Sequence, residues 1–537
     1  MATGKFKDLL HNRGFRAFLW TQFLGAFNDS VYQSVTAMHA AQVKGAYYAT
    51  AVPAIFVIPS LLFSGWSGHL ADRVSKRKVL IGVKIFELFI MLTGLAALVA
   101  DHIEGMMLVV FLMGLHATIF SPAKYGIVPE MLADRDLSRG NALLEMSTFV
   151  AIVLGTATGG VLIGNWTADA WRIGLGTLAV AAVGLWASVH ITRVPPSGAQ
   201  EPFRWNPFGE IAANTRHLLR DRPLWLAVLG VAFFWFAGVI LKTGLLYFGT
   251  ETLRTSSSGV SLLWICLAVG IGCGNMLAGK LSGDKVELGL VPLGSMMMAV
   301  AAFALCAARG SLVAAAIVVA FLAISSGLFV VPQYAFMQQR AGAQEKGRTI
   351  ATNNFIQSLG MVLASGLLLL FHDTLRVSAT TILFGFGVLV AGVTVYALTL
   401  VPEYFVRFVL WVLTHTFFRI RIAGQENVPF RGPALLVSNH ISHIDGILIS
   451  ACVQRRIRFL IWKPYYELKS LNWFLRRDGA IPIASGRRDA VEAIRAARQA
   501  LAEGHMVCIF AEGAVSRTGN LLPFRRGLEK IDRKSVV

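Results

Sequence analysis

Apolar residues run in stretches of bilayer length at 15–40, 46–70, 79–100, 105–128, 141–164, 171–192, 223–248, 258–281, 289–307, 311–336, 352–372 and 379–401. Twelve such stretches predict twelve membrane-crossing helices. Lys and Arg collect in alternate connections: Lys5/Lys7/Arg13/Arg16, Arg73/Lys76/Arg77/Lys78, Arg135/Arg139, the stretch 193–222, Lys280/Lys285 and Arg340/Lys346/Arg348. The opposite connections hold mostly single charges, Lys44, Arg172, Arg254, Arg309 and Arg376. This asymmetry predicts that both termini are cytoplasmic. The first stretch follows an ordinary basic segment without a small-residue cleavage site, so it reads as a retained span rather than a signal peptide.

The pattern changes at Pro402, which breaks the preceding helix. Residues 404–418 supply only about 15 apolar positions, short of a span, so 402–422 reads as an amphipathic helix lying in the membrane interface. Short apolar runs at 434–438, 457–462, 481–483 and 507–510 then read as strands, and helical patterns at 445–453 and 489–503 intervene. Strands alternating with helices predict an α/β domain over 423–531.

Composition supports this division. Of 537 residues 55% are hydrophobic and 15% charged, and mean hydropathy is +0.61. These values fit a multi-pass membrane protein and leave little room for disorder. A net charge of +19 invites a nucleic-acid reading, but the basic residues sit between apolar spans. The phospholipid surface of the inner leaflet explains them better, and no nucleic-acid partner is expected. Cys266, Cys273, Cys306, Cys452 and Cys508 show no metal-ligand spacing and mostly lie in apolar runs. They read as packing residues in a reduced setting, and no metal is implied.

The membrane half repeats itself. Gly68-His-Leu-Ala-Asp72-Arg73 follows the second span, and Gly279-Lys-Leu-Ser-Gly-Asp284 follows the eighth. Pro122-Ala-Lys-Tyr125 near the end of span four is echoed by Pro332-Gln-Tyr334 near the end of span ten, and the offsets are 211, 212 and 210 residues. Two six-helix halves suit a transporter that rocks about a midplane site. The 68–78 run resembles the signature loop of the major facilitator superfamily. That resemblance implies a twelve-span all-α fold over 1–401, with Gly68, Asp72, Arg73 and Asp284 as a conformational latch on the cytoplasmic side. The competing reading is a tight positive-inside turn.

Charges inside the spans narrow the class, because each costs about 2.5–3.5 kcal/mol on insertion scales and needs a partner or a task. They are Asp29 in Gln22-Phe-Leu-Gly-Ala-Phe-Asn-Asp29, Lys84 and Glu87, Lys124 in Phe120-Ser-Pro-Ala-Lys-Tyr125, Glu145 and Lys242. Lys84 and Glu87 lie three apart on one helical face and read equally as a structural ion pair, while Lys242 reads as snorkelling toward an interface. The Gln22–Asp29 and Phe120–Tyr125 runs look like the lysophospholipid transporter family. The resemblance covers 15 to about 400 and implies transport roles for Asp29 and Lys124 first, with Lys84, Glu87 and Glu145 as further candidates.

Three blocks follow in the second part: Asn439-His440-x-Ser442-x-x-Asp445; Gly479-Ala-Ile-Pro-Ile483 with Arg487 and Arg488; and Phe510-Ala-Glu512-Gly513 before Ser516-Arg517. In this order they resemble the glycerolipid acyltransferase superfamily. A His with an Asp to orient it is a general base for a hydroxyl attacking an acyl thioester. The resemblance implies His440 and Asp445 as catalytic, Glu512, Gly513 and Ser516 around the acceptor, and Arg487 and Arg517 on its phosphate. His443 reads as a turn residue. Ala511 stands where the family commonly has proline. The family normally continues with a further strand and a fourth block, so the acyltransferase domain is expected to be partial, with an unpaired sheet edge. Residues 532–537 match an adapter read-through and are expected to be non-native. Relatives joining these two domains often continue into an adenylate-forming domain that charges acyl carrier protein.

The expectation is a bacterial inner-membrane protein that flips lysophospholipid, such as lysophosphatidylethanolamine, to the cytoplasmic leaflet and re-esterifies it there. The acyl donor would be acyl carrier protein or coenzyme A thioester, used as substrate, with no bound cofactor. From Pro402 onward 21 Lys or Arg face 11 Asp or Glu, which suits an acidic donor. Two alternatives stand: a proton-coupled exporter of drugs or metabolites with an inactive tail, and a lysophosphatidic acid acyltransferase with a membrane anchor.

Overall fold

The computed structural model describes residues 6–163, 166–199, 205–283, 286–400, 402–418, 420–424, 427–429, 432–453, 455–516, 520–524 and 531. The chain divides into two compact units, residues 2–397 and 398–537.

The first unit contains α1 (Arg13–Lys44), α2 (Ala46–Arg73), α3 (Lys76–Val99), α4 (Ile103–Met131), α5 (Leu137–Ile163), α6 (Trp166–Val189), α7 (Arg222–Tyr247), α8 (Ser257–Ser282), α9 (Leu290–Ala307), α10 (Leu312–Arg340) and α11 (Lys346–Leu368). Helix α12 (Ala379–Leu400) ends at the boundary. Among the described residues eleven helices are long and apolar enough to cross a membrane. Helix α1 falls outside that group through its polarity, not its length. Its 32 residues span about 48 Å, ample for a bilayer. The polar residues Gln22, Asn28 and Asp29 lower its apolar character, and Asp29 is the one expected to serve transport.

The sequence repeat becomes a spatial one. Helix α2 packs on α11 and, equivalently, α8 packs on α5. Small residues set the approach: a Cβ added at Gly68 would fall 2.5 Å from Ala351 Cβ, and one at Gly279 would fall 2.6 Å from Ala142 Cβ. Bulkier residues at either place would separate the halves. The repeated Tyr125 and Tyr334 stack on each other across the halves, with centroids 4.6 Å apart and planes 3° apart. Asn141 and Gln338 exchange two hydrogen bonds of 2.7 and 2.9 Å nearby.

Two features depart from the sequence reading. The central connection, read as a basic loop, carries a helix at Pro207–Leu218, entered through Asn206, whose side chain accepts the Phe208 and Gly209 N–H groups. Its Asn214 donates to Thr352 Oγ1 at 2.8 Å, fastening it to α11. Lys76 is not a surface charge: it is fully buried, 2.5 Å from Glu130 Oε1 and 2.5 Å from Ser197 Oγ.

The second unit starts with α13 (Pro402–Phe417). Its sheet runs β1 (Ala434–Ser438), β4 (Met506–Phe510), β2 (Ile457–Trp462), β3 (Ile481–Ile483), all parallel. Helices α14 (Asp445–Cys452), α15 (Lys469–Asp478) and α16 (Arg487–Ala502) connect the strands. Apolar clusters cover both faces, as parallel sheets require: Leu460, Ala497 and Val507 on one, Ile457, Phe459 and Cys508 on the other. Burial pushes the Cys508 thiol up to about 12, so it behaves as an apolar packing group.

Candidate functional site

Each unit holds its own cluster of chemistry-bearing residues. In the first, Lys84 and Glu87 are buried to 0% and 1% exposure and form an ion pair within one turn of α3. Glycine makes room for the ammonium: a Cβ at Gly25 of α1 would sit 2.8 Å from Lys84 Nζ, and one at Gly184 of α6 would sit 3.3 Å away. Glu87 also accepts from Asn28 Nδ2 at 3.4 Å, and His116 Nε2 of α4 lies 3.3 Å from its other oxygen. Sequence reasoning missed His116, because a lone His within an apolar span gives no signal until α4 is packed on α3. Asp29 lies one turn beyond Gly25 on α1, within electrostatic reach of Glu87 and Lys84. Its Oδ1 is buried without a hydrogen-bond partner among the described residues.

Lys124 sits in a second group. Its Nζ donates to Thr148 Oγ1 at 3.1 Å, Thr148 donates to Gln22 Oε1 at 2.9 Å, and the ammonium lies 5.0 Å from the Tyr125 ring centroid. Glu145 is fully buried and accepts from Tyr125 Oη at 2.6 Å, joining the Tyr125–Tyr334 stack. Gln22 and Asp29 are seven residues apart, two turns of α1, so this helix presents both groups. Beside Asn28, a cavity of about 280 Å³ opens between α1, α5 and α6, lined mainly by apolar residues such as Phe27, Val31, Leu162 and Val180.

The latch residues divide. The Asp72 carboxylate, 1% exposed as a side chain, accepts the backbone N–H of Gly347 at 2.6 Å and of Arg348 at 2.9 Å. It thus caps the start of α11, where the helix dipole favours an anion. Gly68 and Gly347 both permit the approach: a Cβ at Gly347 would lie 2.7 Å from the Gly68 carbonyl and from the Asp72 carboxylate, and one at Gly68 would lie 3.0 Å from the Gly347 carbonyl. Arg73 is exposed. Asp284 lies outside the described residues.

In the second unit the first and third blocks meet where β1 and β4 end side by side, with Ser438 in register with Phe510. Parallel strands present their carboxyl ends to ligands, and both blocks follow such ends. His440 Nδ1 lies 3.0 Å from Asp445 Oδ2, which also accepts the Ile441 and Ser442 N–H groups at 2.8 and 2.9 Å. Burial pushes the Asp445 carboxyl up, but hydrogen bonds from Ser442, His440 and Ile441 outweigh it and hold it below the usual carboxylate range. An ionised Asp445 keeps the proton on Nδ1 and leaves Nε2 free to accept one. The ring stacks on Phe510, centroids 4.0 Å apart.

The third block folds over this loop. The His440 N–H donates to Glu512 Oε1 at 3.4 Å, and the His440 carbonyl accepts the Ser516 N–H at 2.7 Å. Gly513 has φ of +65°, a conformation glycine adopts without strain. Glu512 is 3% exposed and therefore holds the His440 backbone from below, while its Oε2 has no hydrogen-bond partner among the described residues. His443 lies near Tyr465, ring centroids 6.2 Å apart. Arg487 begins α16, but its side chain lies outside the described residues, as does Arg517 altogether.

Residues 18–365 match the Major Facilitator Superfamily, and residues 419–535 match the family described as Acyltransferase. The lysophospholipid transporter LplT of Klebsiella pneumoniae subsp. pneumoniae is 30% identical over 373 residues, 67% of this chain and 88% of that protein. The LplT of Photorhabdus laumondii is 29% identical over 393 residues, 71% of this chain and 94% of that one. Among solved structures, the transporter FucP in its outward conformation superposes with a TM-score of 0.60 at 11% identity, covering 71% of this chain and 97% of that chain. A bacterial homologue of the iron transporter ferroportin, in an outward-facing state, gives 0.55 at 16% identity, covering 73% and 98%. These two likenesses establish the fold alone. The paired helices, the Asp72 cap and the relatives agree: the chain belongs to the Major Facilitator Superfamily, is a multi-pass membrane protein related to the lysophospholipid transporters, and joins that unit to an acyltransferase-family domain.

Proposed function

We propose that the protein moves lysophospholipid, with lysophosphatidylethanolamine the best-fitting headgroup, to the cytoplasmic leaflet of a bacterial inner membrane and re-acylates it there. The observation that carries this reading is the His440–Asp445 pair on the same chain as a unit related to lysophospholipid transporters. A zwitterionic headgroup suits the membrane unit. Asp29 offers an ammonium an oxygen that has no hydrogen-bond partner among the described residues, and Lys124 offers a cation to a phosphate. The apolar cavity beside Asn28 suits part of the acyl tail.

For the transfer, His440 Nε2 takes the proton of the lysolipid hydroxyl as its oxygen attacks the thioester carbonyl. Asp445 stabilises the imidazolium that forms. The tetrahedral intermediate collapses, the carbon–sulfur bond breaks, and the departing thiolate takes the proton from His440. The donor in this reading is acyl carrier protein or coenzyme A thioester. The basic excess beyond Pro402 favours the acidic carrier protein.

Uptake of labelled lysophosphatidylethanolamine by spheroplasts tests the reading. Asp29→Asn and Lys124→Ala should abolish uptake at normal expression, whereas His440→Ala should spare uptake and abolish acylation. Wild-type uptake by both transport variants would overturn the assignment of the membrane site.

A further inference from the structure

Helices α3 and α6 pack against each other and turn an apolar surface outward: Ile85, Phe89 and Leu92 from α3, Val183, Trp186 and Val189 from α6. Such a surface in a multi-pass protein faces lipid tails. Trp186, 68% exposed and tilted at 53° against the His190 ring with centroids 4.8 Å apart, sits in the last turn of α6, where aromatic residues mark the headgroup level.

At the foot of this surface lies a pocket of about 520 Å³ whose lining includes Arg73, Ser75, Arg77, Lys78 and Arg193 and, among the described residues, no acidic one. The pocket is built rather than incidental. Arg77 Nε donates to the Ile191 carbonyl at 2.8 Å and its Nη2 to Val189 at 2.6 Å, which closes the end of α6. Ser75 Oγ donates to the Val194 carbonyl at 2.7 Å, which ties the α2–α3 turn to the segment after α6. Neighbouring Lys76 points inward to Glu130, so its charge is already balanced. Arg73, Lys78 and Arg193 are exposed around the opening.

We propose that this pocket binds the phosphate of an anionic phospholipid of the cytoplasmic leaflet, such as phosphatidylglycerol, with its acyl chains along the apolar face of α3 and α6. Four cations, with no acid among the described lining residues, suit a phosphodiester, and the lipid-facing surface beside them suits a ligand with tails. Arg73 directly follows Asp72, so a bound phosphate also steadies the turn that carries the α11 cap. This lipid is distinct from the cargo, and its site is separate from the Asp29 and Lys124 clusters.

The test uses the full chain in phosphatidylcholine nanodiscs with a rising fraction of phosphatidylglycerol, counting bound phosphatidylglycerol by native mass spectrometry. Lys78→Gln with Arg193→Gln should weaken binding at least about ten-fold, since each cation near an anionic phosphate contributes appreciably. Arg216→Gln with Arg220→Gln, two exposed cations elsewhere, should change it less than about two-fold. Glycerol phosphate at millimolar concentration should fail to displace the lipid. Elution profile and melting temperature in lipid-free detergent verify the fold of each variant, and Arg193→Gln alone serves if the double variant does not fold. Unchanged binding in the folded pocket variant would overturn the proposal. So would equal weakening in the control pair, which means diffuse attraction, or ready displacement by glycerol phosphate, which means a soluble anion.

Discussion

Replacing Asp72 by Asn tests the cap at the start of α11 with little change of shape. The carboxylate accepts two backbone N–H groups at 2.6 and 2.9 Å while nearly inaccessible to water. Hydrogen bonds to a charged group contribute about 1.5–3 kcal/mol each. Asn keeps one neutral acceptor and loses the interaction of a full charge with the helix end, so the net loss is about 2–4 kcal/mol. At 1.4 kcal/mol per decade this is roughly a 30- to 700-fold rise in local opening. Hydrogen–deuterium exchange of the Gly347 and Arg348 amides reads that opening directly, because both amides donate to Asp72. Peptides from α9, remote from the cap, should exchange as in the wild type. A rise of less than about three-fold at 347–348 in a folded protein would refute the cap as a stabilising contact.

Gly25→Val should disrupt the buried pair, because even a Cβ would sit 2.8 Å from Lys84 Nζ; reduced lysolipid uptake with a lowered melting temperature would show it. Asp445→Asn should reduce acyl transfer by on the order of 10³–10⁴-fold through loss of the Nδ1 tautomer, measured with a thioester donor; adding His440→Ala should cost little more, since the two act as one unit. Asp445 is held below the usual carboxylate range, so the stability it contributes is fully present above an unfolded value of about 3.9 and is lost as pH falls through the lower folded value; acid unfolding of the second unit should shift to higher pH in Asp445→Asn. Acylation driven by acyl carrier protein should fall as salt rises in neutral detergent, and indifference to salt would remove charge attraction from donor capture.

The sequence determined the elements because their signals are local. Bilayer-length apolar runs, Pro402, and the short strand runs at 434–438, 457–462 and 481–483 each report the solvent of their own segment, and the helices and strands formed there. The repeat of Gly68 at Gly279 and of Tyr125 at Tyr334 was also legible, because equivalent packing positions keep equivalent residues. The partners were not legible, since partnership depends on which helix faces which. Asp72 could be seen as a latch residue, but its acceptance of the Gly347 and Arg348 amides, 275 and 276 residues away, needs α2 laid against α11. Likewise Lys84 and Glu87 announce an ion pair by spacing, whereas His116, Asn28 and Gly25 join it only through helix packing. In the second unit His440 and Asp445 lie five residues apart, so one turn brings them together and the sequence suffices. Glu512 reaches the His440 backbone from 72 residues away because β1 and β4 are adjacent in the sheet, and strand order is a property of the whole domain's packing rather than of any one strand.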